Sequence, residues 1–199
     1  LFLERSAMSN VASRVASGDS RLGIGLEGFG ERWVAAATAT AGTLPGPADD
    51  RERGLAGRAA VLVLDGTVQF QLGLNLAWQF SPSSGKRGER LALSDFPELR
   101  VDSRQFLDTG SFAADDAYAW GPEVLGRLGP VYLEGVYQSV GTRGGGGDRR
   151  FHGWYVQGAV PLLGLPRQRD EETGTWAAPG SQEGFDPARG EFGALEVAA

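Results

Sequence analysis

The stretch TVQFQLGLNLAWQF, from Thr67 to Phe80, decides the fold class because it alternates apolar and other residues without a break. The even positions from 68 to 80 are apolar, and the odd positions are polar or small: Thr67, Gln69, Gln71, Gly73, Asn75, Ala77 and Gln79. A period of two is the signature of a β-strand with unlike faces. In a soluble sandwich the apolar face meets a core, whereas in a membrane barrel it meets lipid and the polar face lines a water-filled lumen. The alternation alone leaves both architectures open.

The composition excludes several kinds of function but says little about the fold. The chain has 199 residues, a net charge of -6, no Cys and a single His. An acidic chain does not favour nucleic-acid binding, which usually needs a basic stripe. Without Cys, and with His152 alone, neither a thiolate nor an all-histidine metal site is expected, and no cofactor is predicted. The 31 Gly and 10 Pro residues suit many short turns between strands.

Three hairpins are predicted from alternating segments that flank turn residues. The first surrounds a turn at Gly30-Glu31, the second surrounds Asp65-Gly66, and the third surrounds Gly129-Pro130. Asp-Gly is a strong signal for a two-residue hairpin turn. In the first hairpin this places Gly28 opposite Trp33. In the third, Leu125 faces Glu134, and Glu123 faces Val136.

Two long polar segments separate these hairpins, and a third follows the strand that comes after the last hairpin. They span residues 42–57, 81–99 and 164–189, and a final strand is expected to begin near Glu191. Short turns on one side of a sheet and long loops on the other are typical of bacterial outer-membrane barrels. The strand from Thr67 to Phe80 would be about 45 Å long, which is enough to cross a bilayer at a tilt. The sequence therefore predicts an all-β protein with an antiparallel transmembrane β-barrel.

Several motifs carry a resemblance to a known family. FHGWYVQGAVPLLG at 151–164 resembles a segment of the phosphate-selective porin O and P family, in which a Gly-Trp-Tyr-Val-Gln strand is usual. Four further motifs are similar to family segments and occur in the expected order: FLERS at 2–6, FLDTG at 106–110, GPVYLEGVYQSV at 129–140 and FDPARGEFGALEVAA at 185–199. Departures occur at Leu165-Pro166, where the family carries an acidic-basic pair, and at Leu195, where Trp is usual.

The resemblance implies a sixteen-stranded, trimeric porin in the outer membrane of a Gram-negative bacterium. It also implies passive diffusion of small anions, with inorganic phosphate as the type substrate, and contact with outer-membrane lipid. Residues 1–199 would then be a single barrel domain and a middle portion of it, without the signal peptide, the first strands and the last strands. Neither catalysis nor a cofactor is expected of such a protein.

Strand parity selects the side chains that would line the lumen. The predicted pore-lining residues on strands are Gln69, Gln71, Asn75, Glu123, Arg127, Glu134 and Gln157, together with Gln79, Gln138 and Tyr155. Arg100 and Arg104 are added as loop candidates. The other basic clusters, which are Arg51, Arg53 and Arg58 in one loop and Arg143, Arg149 and Arg150 in another, are interpreted as solubilising charge because acids interleave with most of them. Aromatic residues near strand ends are candidates for an interfacial girdle: Trp78, Phe80, Trp154 and Tyr155.

Two other functions stay open at this point. One is a soluble or surface β-sandwich that binds carbohydrate or another ligand, in which a second sheet would pack over Val68, Leu72 and Leu76. The other is a β-rich hydrolase with Glu123 and Glu134 as acid and base. The barrel predicts instead that the apolar face has no protein layer over it.

Overall fold

Strands make up most of the chain. The computed structural model describes residues 21–43, 53–80, 90–95, 107–144, 147–180 and 184–199, together with Ala12 and Val15. Its elements are β1 (Arg21–Gly30), β2 (Trp33–Thr43), β3 (Arg53–Leu64), β4 (Val68–Phe80), β5 (Arg90–Asp95), β6 (Leu107–Ala113), β7 (Asp116–Leu128), β8 (Val131–Arg143), β9 (Arg149–Leu163), β10 (Phe185–Asp186), a 3-10 helix (Pro187–Arg189), β11 (Glu191–Phe192) and β12 (Leu195–Ala198). None of the helical segments in this part of the chain is long and apolar enough to span a membrane.

Eight of the strands form one sheet in the order β1-β2-β3-β4-β7-β8-β9-β12. All neighbours in it are antiparallel. The β5–β6 and β10–β11 pairs are separate insertions. The all-β, antiparallel architecture expected from the sequence is therefore confirmed. In the described residues β1 and β12 are the sheet edges, and closure into a sixteen-stranded barrel stays a prediction.

Short connections lie together at one end of the sheet, which we call the turn end. They are Glu31-Arg32, residues 65–67 and Gly129-Pro130. Gly129 has φ 57°, a left-handed conformation that glycine adopts at little cost. The connections from β2 to β3, from β4 to β7 and from β8 to β9 leave from the opposite end, the loop end.

One long connection breaks this arrangement. β9 runs from the loop end to the turn end, so residues 164–194, which join it to β12, leave the sheet among the short turns. The prediction that all long loops share one side is therefore wrong for this segment. Its first part, residues 164–180, is called the arm below.

The hairpins form as predicted, with local corrections. In the first hairpin the turn is Glu31-Arg32, so Gly28 pairs with Ala35 and not with Trp33. This moves the register by an even number of residues and leaves every side chain on its predicted face. In the second hairpin the connection has three residues, 65–67, because a bulge follows Leu62. In the third hairpin the predicted register is confirmed.

Three strand boundaries also differ from the prediction. β3 begins at Arg53, inside the segment predicted as a loop, because small residues such as Gly54 and Ala56 extend its ladder with β4. β5 lies inside the second predicted loop. The last strand of the sheet begins at Leu195, since Glu191 pairs instead with Asp186 in a short local ribbon.

The two faces of the sheet are inverted relative to a soluble protein. On β4, Gln71 is 0% exposed, whereas Leu72 and Leu76 are 45% and 53% exposed. The face of Leu72 is called the apolar face and the face of Gln71 the polar face. A soluble domain buries its leucines and exposes its glutamines. No second sheet of the described residues covers the apolar face, contrary to the sandwich alternative.

The apolar face extends over the whole sheet. At one edge Leu26 on β1 is 84% exposed, and Val156 on β9 is also exposed. Towards the loop end this face carries a cluster of rings: Trp78, Phe80, Tyr118, Trp120, Tyr137, His152 and Trp154. Neighbouring rings in it stack or tilt against each other, with centroids 5.4 Å apart for Trp78 and Phe80. Aromatic belts of this kind are typical of a membrane–water interface.

Two insertions lie against the polar face. Near the loop end, Leu93 of β5 and Val15 pack on Ala77, Ala119 and Val140. Near the turn end, Trp176 of the arm packs on a second cluster that contains Leu125, Tyr132 and Ala159. The buried core of the described chain therefore lies between the polar face and these insertions, at both ends of the strands.

Candidate pore-lining site

An ion pair lies in the middle of the polar face. Arg58 on β3 donates from Nε and Nη2 to Oε1 of Glu123 on β7, at 3.0 and 2.6 Å. Asn75, on the intervening β4, donates to the other carboxylate oxygen at 2.8 Å. Alternation places all three side chains on one face of adjacent strands. Both oxygens of the Glu123 carboxylate therefore accept hydrogen bonds, from side chains of two other strands.

Arg58 also binds the arm. Its Nη1 donates to the carbonyl of Thr173 at 2.6 Å, and its Nη2 donates to the carbonyl of Gly174 at 3.1 Å. Gln71 donates to the same Gly174 carbonyl at 2.7 Å and accepts from Nε of Arg169 at 2.6 Å. Since Arg58 lies midway along β3, the tip of the arm reaches about halfway up the wall from the turn end.

The base of the arm is tied to the other side of the sheet. Arg167 makes a two-pronged ion pair with Glu196 on β12, at 2.8 and 2.6 Å, a geometry suited to the planar guanidinium. Its guanidinium also lies 4.8 Å from the ring of Tyr132. The hydrogen bond to Glu196 raises the pKa of Arg167 above its ordinary value, more than burial lowers it. The guanidinium of Arg167 therefore stays protonated at any working pH.

The arm itself is a small hairpin. Its backbone bonds include Leu165 N to Gly180 O at 2.8 Å and Ala177 N to Gln168 O at 2.9 Å. Asp170 accepts from the backbone amides of Thr173 and Glu172 at the tip, and this lowers the pKa of its carboxyl group. A hairpin of this length has little core of its own, so its position depends on the contacts with the polar face.

A second acid on the polar face is enclosed by neutral donors. Glu134 on β8 accepts from Tyr132 and Tyr155 hydroxyls and from the Gln157 amide, each at 2.6 Å. No hydrogen bond joins Glu134 to Glu123, and each carboxylate has its own set of partners. These hydrogen bonds fix the positions of side chains on β8 and β9. They do not resemble an acid and a base arranged around one substrate.

Two arginines on this face have only neutral partners in the described part of the chain. Arg127 donates to the Gln69 side chain at 3.2 Å and to the Gly129 carbonyl at 3.3 Å. Arg169 donates to Gln71 and to the carbonyl of Glu31. Burial lowers the pKa of Arg169 from its ordinary value, yet a guanidinium stays protonated at any working pH. Among the described residues, the wall therefore offers two positive charges that form no ion pair with a carboxylate, although Glu171, Asp65 and Asp170 interact with Arg169 electrostatically without a hydrogen bond.

Negative charge is concentrated at the arm tip. Asp170, Glu171 and Glu172 are exposed there. Among the described residues, no group of His, Cys, Asp and Glu has the arrangement of a metal site. The polar face is thus a wall of fixed charges of both signs and of amide and hydroxyl groups, as a solute-conducting pore needs, and its described residues form no catalytic constellation.

An exposed apolar face around a polar, hydrogen-bonded interior is the pattern of a transmembrane barrel wall. The family model described as "Phosphate-selective porin O and P" matches residues 1–199 of this sequence. The chain belongs to this porin family. No curated protein matches the sequence. Membership makes the protein a channel-type protein of the bacterial outer membrane, and the family is not one of enzymes.

All the strand residues predicted to line the pore lie on the polar face of this porin. They are Gln69, Gln71, Asn75, Gln79, Glu123, Arg127, Glu134, Gln138, Tyr155 and Gln157. Their pore-lining role stays a prediction, as does that of Arg100 and Arg104, which lie outside the described residues. Of the girdle candidates, Tyr155 turns out to face Glu134, while Trp78, Phe80 and Trp154 lie on the apolar face.

Several members of the site were not predicted from the sequence. Arg58 was interpreted as loop charge, although extending the alternation of Ala60 and Leu62 backwards would have placed it on the polar face. The arm residues Arg167, Arg169 and Trp176 were assigned to a loop, and no periodic signal marks them. Glu196 lay in a strand that was expected to begin earlier.

Proposed function

We propose that this porin lets small hydrophilic anions diffuse passively across the bacterial outer membrane, with inorganic phosphate as the type solute of its family. The observation that carries the proposal is that Arg127 and Arg169 hydrogen bond only to neutral oxygen atoms in the described chain. A guanidinium without a carboxylate partner keeps its charge available to a passing anion. Arg58 and Arg167, in contrast, are paired with acids.

The expected preference for anions is modest. The acids of residues 170–172 are carried by the same arm as Arg169. Opposite charges on neighbouring parts of one wall create a transverse field more than a deep anion well. We therefore expect passage of anions without tight binding of phosphate.

The size limit of the pore is assigned to the two insertions. The β5–β6 hairpin covers the polar face near the loop end, and the arm covers it near the turn end. Both occupy space that the polar face borders, so only small solutes pass between them. Outer-membrane lipid is the proposed partner of the apolar face, and a homotrimer is the proposed assembly.

The proposal is tested with the protein in planar bilayers under a KCl gradient. We expect a zero-current potential with the sign of preferential anion flux. Inorganic phosphate, added as a competitor, should reduce the chloride current only weakly. Arg127→Gln should lower the anion-to-cation permeability ratio. The matched control is Arg189→Gln, because Arg189 is an exposed residue of the 3-10 helix and pairs with Asp186. A cation-selective wild-type channel would reject the anion assignment.

A further inference from the structure

Glu123 reaches Arg58 by crossing over a strand. Glu123 is on β7 and pairs with Gly73 on β4, while Arg58 is on β3 and pairs with Asn75 on β4. Because β4 lies between β3 and β7, the carboxylate has to pass above β4 to meet the guanidinium. The position over which it passes is Gly73.

This crossing needs a glycine. A Cβ atom on Gly73 would lie 2.6 Å from Cγ and 2.8 Å from Cδ of Glu123, closer than real Cβ atoms come to carbon. Gly73 does not have a positive φ, so its conformation is one that any residue can adopt. Space, and not backbone freedom, is therefore what the glycine supplies.

The carboxylate determines where the arginine points. Two bonds to Glu123 fix one side of the guanidinium, and the remaining N–H groups then face the carbonyls of Thr173 and Gly174 on the arm. Free arginine side chains have much rotamer freedom, and a planar fork held on one side loses less freedom for each further bond. Glu123 thus acts on the arm through Arg58.

We propose that Gly73 and Glu123 are positioning residues that hold Arg58 against the arm, and that this three-residue clamp sets the width of the pore on the turn side. The proposal rests on the proposed function, since it takes the arm to border the path of the solute. A merely structural ion pair would stabilise the sheet when present but leave the arm in place when broken. The two roles are separated by a probe that lies beneath the arm.

Val34 provides this probe. It is buried on β2 and touches the arm at Gly174, and the chain has no cysteine of its own. In a Val34→Cys background, a water-soluble thiol reagent reaches position 34 only when the arm lifts. Gly73→Ala should raise the labelling rate about tenfold or more, because at least one bond to a charged group is lost. The matched control is Gly135→Ala, whose added Cβ would meet only Val156 Cγ2 at 3.9 Å.

A second variant keeps the test decisive if Gly73→Ala does not fold. Glu123→Gln retains the size of the side chain, removes its charge and should give a smaller increase in labelling. In liposome swelling, both variants should admit larger sugars than the Gly135→Ala control does. Labelling and size limits equal to those of the control would overturn the clamp. A wild-type protein that passes no solute, combined with faster labelling in Gly73→Ala, would reject the proposed function and leave the clamp standing.

Discussion

The docking of the arm can be tested at Gly174. This residue has φ 61°, is buried, and an added Cβ would collide with Cγ1 of Val34. Gly174→Ala therefore combines two costs: about 1–2 kcal/mol for a left-handed non-glycine residue and about 1–3 kcal/mol for overpacking. Gly190→Ala has only the first cost, since Gly190 has φ 78° and nothing lies within 4 Å of its added Cβ.

Hydrogen exchange of the arm amides measures the difference. The amides of Asp170 and Ala177 are bonded within the arm and report its local opening. A loss of about 2–5 kcal/mol accelerates their exchange by roughly 30-fold or more, because each 1.4 kcal/mol is a factor of ten. Gly190→Ala should leave them unchanged, as it lies outside the arm.

A rescue experiment sharpens the result. Val34→Ala removes the methyl groups that the new Cβ meets, so the double variant Gly174→Ala/Val34→Ala should recover most of the overpacking term. If Gly174→Ala exchanges no faster than Gly190→Ala, the arm does not pack on β2 in the way that the structure indicates. If the double variant is worse than the single one, the collision is not the cause.

Three further predictions concern the wall. Leu72→Arg on the apolar face should destabilise the folded protein in lipid vesicles by about 2–4 kcal/mol in urea titrations. Glu27→Arg, at an exposed position of the polar face on β1, should not, and equal effects would contradict the assignment of faces. Glu134→Leu should lower the temperature at which the folded band converts to the unfolded band in heat-modifiable migration. Three donors lose their acceptor, at a cost of about 1–3 kcal/mol each. An unchanged temperature would show that water replaces the Glu134 carboxylate as their partner. Gly129→Ala should cost about 1–2 kcal/mol of stability without altering conductance, since the strain is confined to the turn; a changed conductance would argue against this confinement.

The wall of this porin could be predicted from the sequence because its signal is periodic. The unbroken alternation of β4 determines the face of every residue, and a register error of two positions in the first hairpin leaves those faces unchanged. The third hairpin was predicted to the residue because Gly129-Pro130 fits only a tight turn there. Alternation could not distinguish lipid from a protein core; the length of the strand and the family-like motifs did so.

The arm could not be predicted, for a physical reason. Arg58 and Gln71 hold it through the backbone carbonyls of Thr173 and Gly174, and every residue has a carbonyl. The tip of the arm therefore carries no sequence pattern that identifies these partners, and no periodicity places Arg167 opposite Glu196 or Arg169 opposite Gln71. The side chains on the wall do not identify the arm as their partner either. An arginine that is close to acids in the sequence cannot be distinguished from an ordinary surface charge until its strand is assigned.

The strand order also has a consequence for how the protein assembles. Apart from the inserted β5–β6 and β10–β11 pairs, neighbouring strands of the eight-stranded sheet are also consecutive along the chain. The wall can therefore grow at one edge as the hairpins are added in turn. The arm is different: Arg58 and the Thr173 carbonyl are 115 residues apart, and Gln71 and the Gly174 carbonyl are 103 apart. Closing loops of that length is slow and needs a finished surface to bind to. We therefore expect the wall to form first and the arm to dock on it afterwards, so that the aperture is set late in maturation.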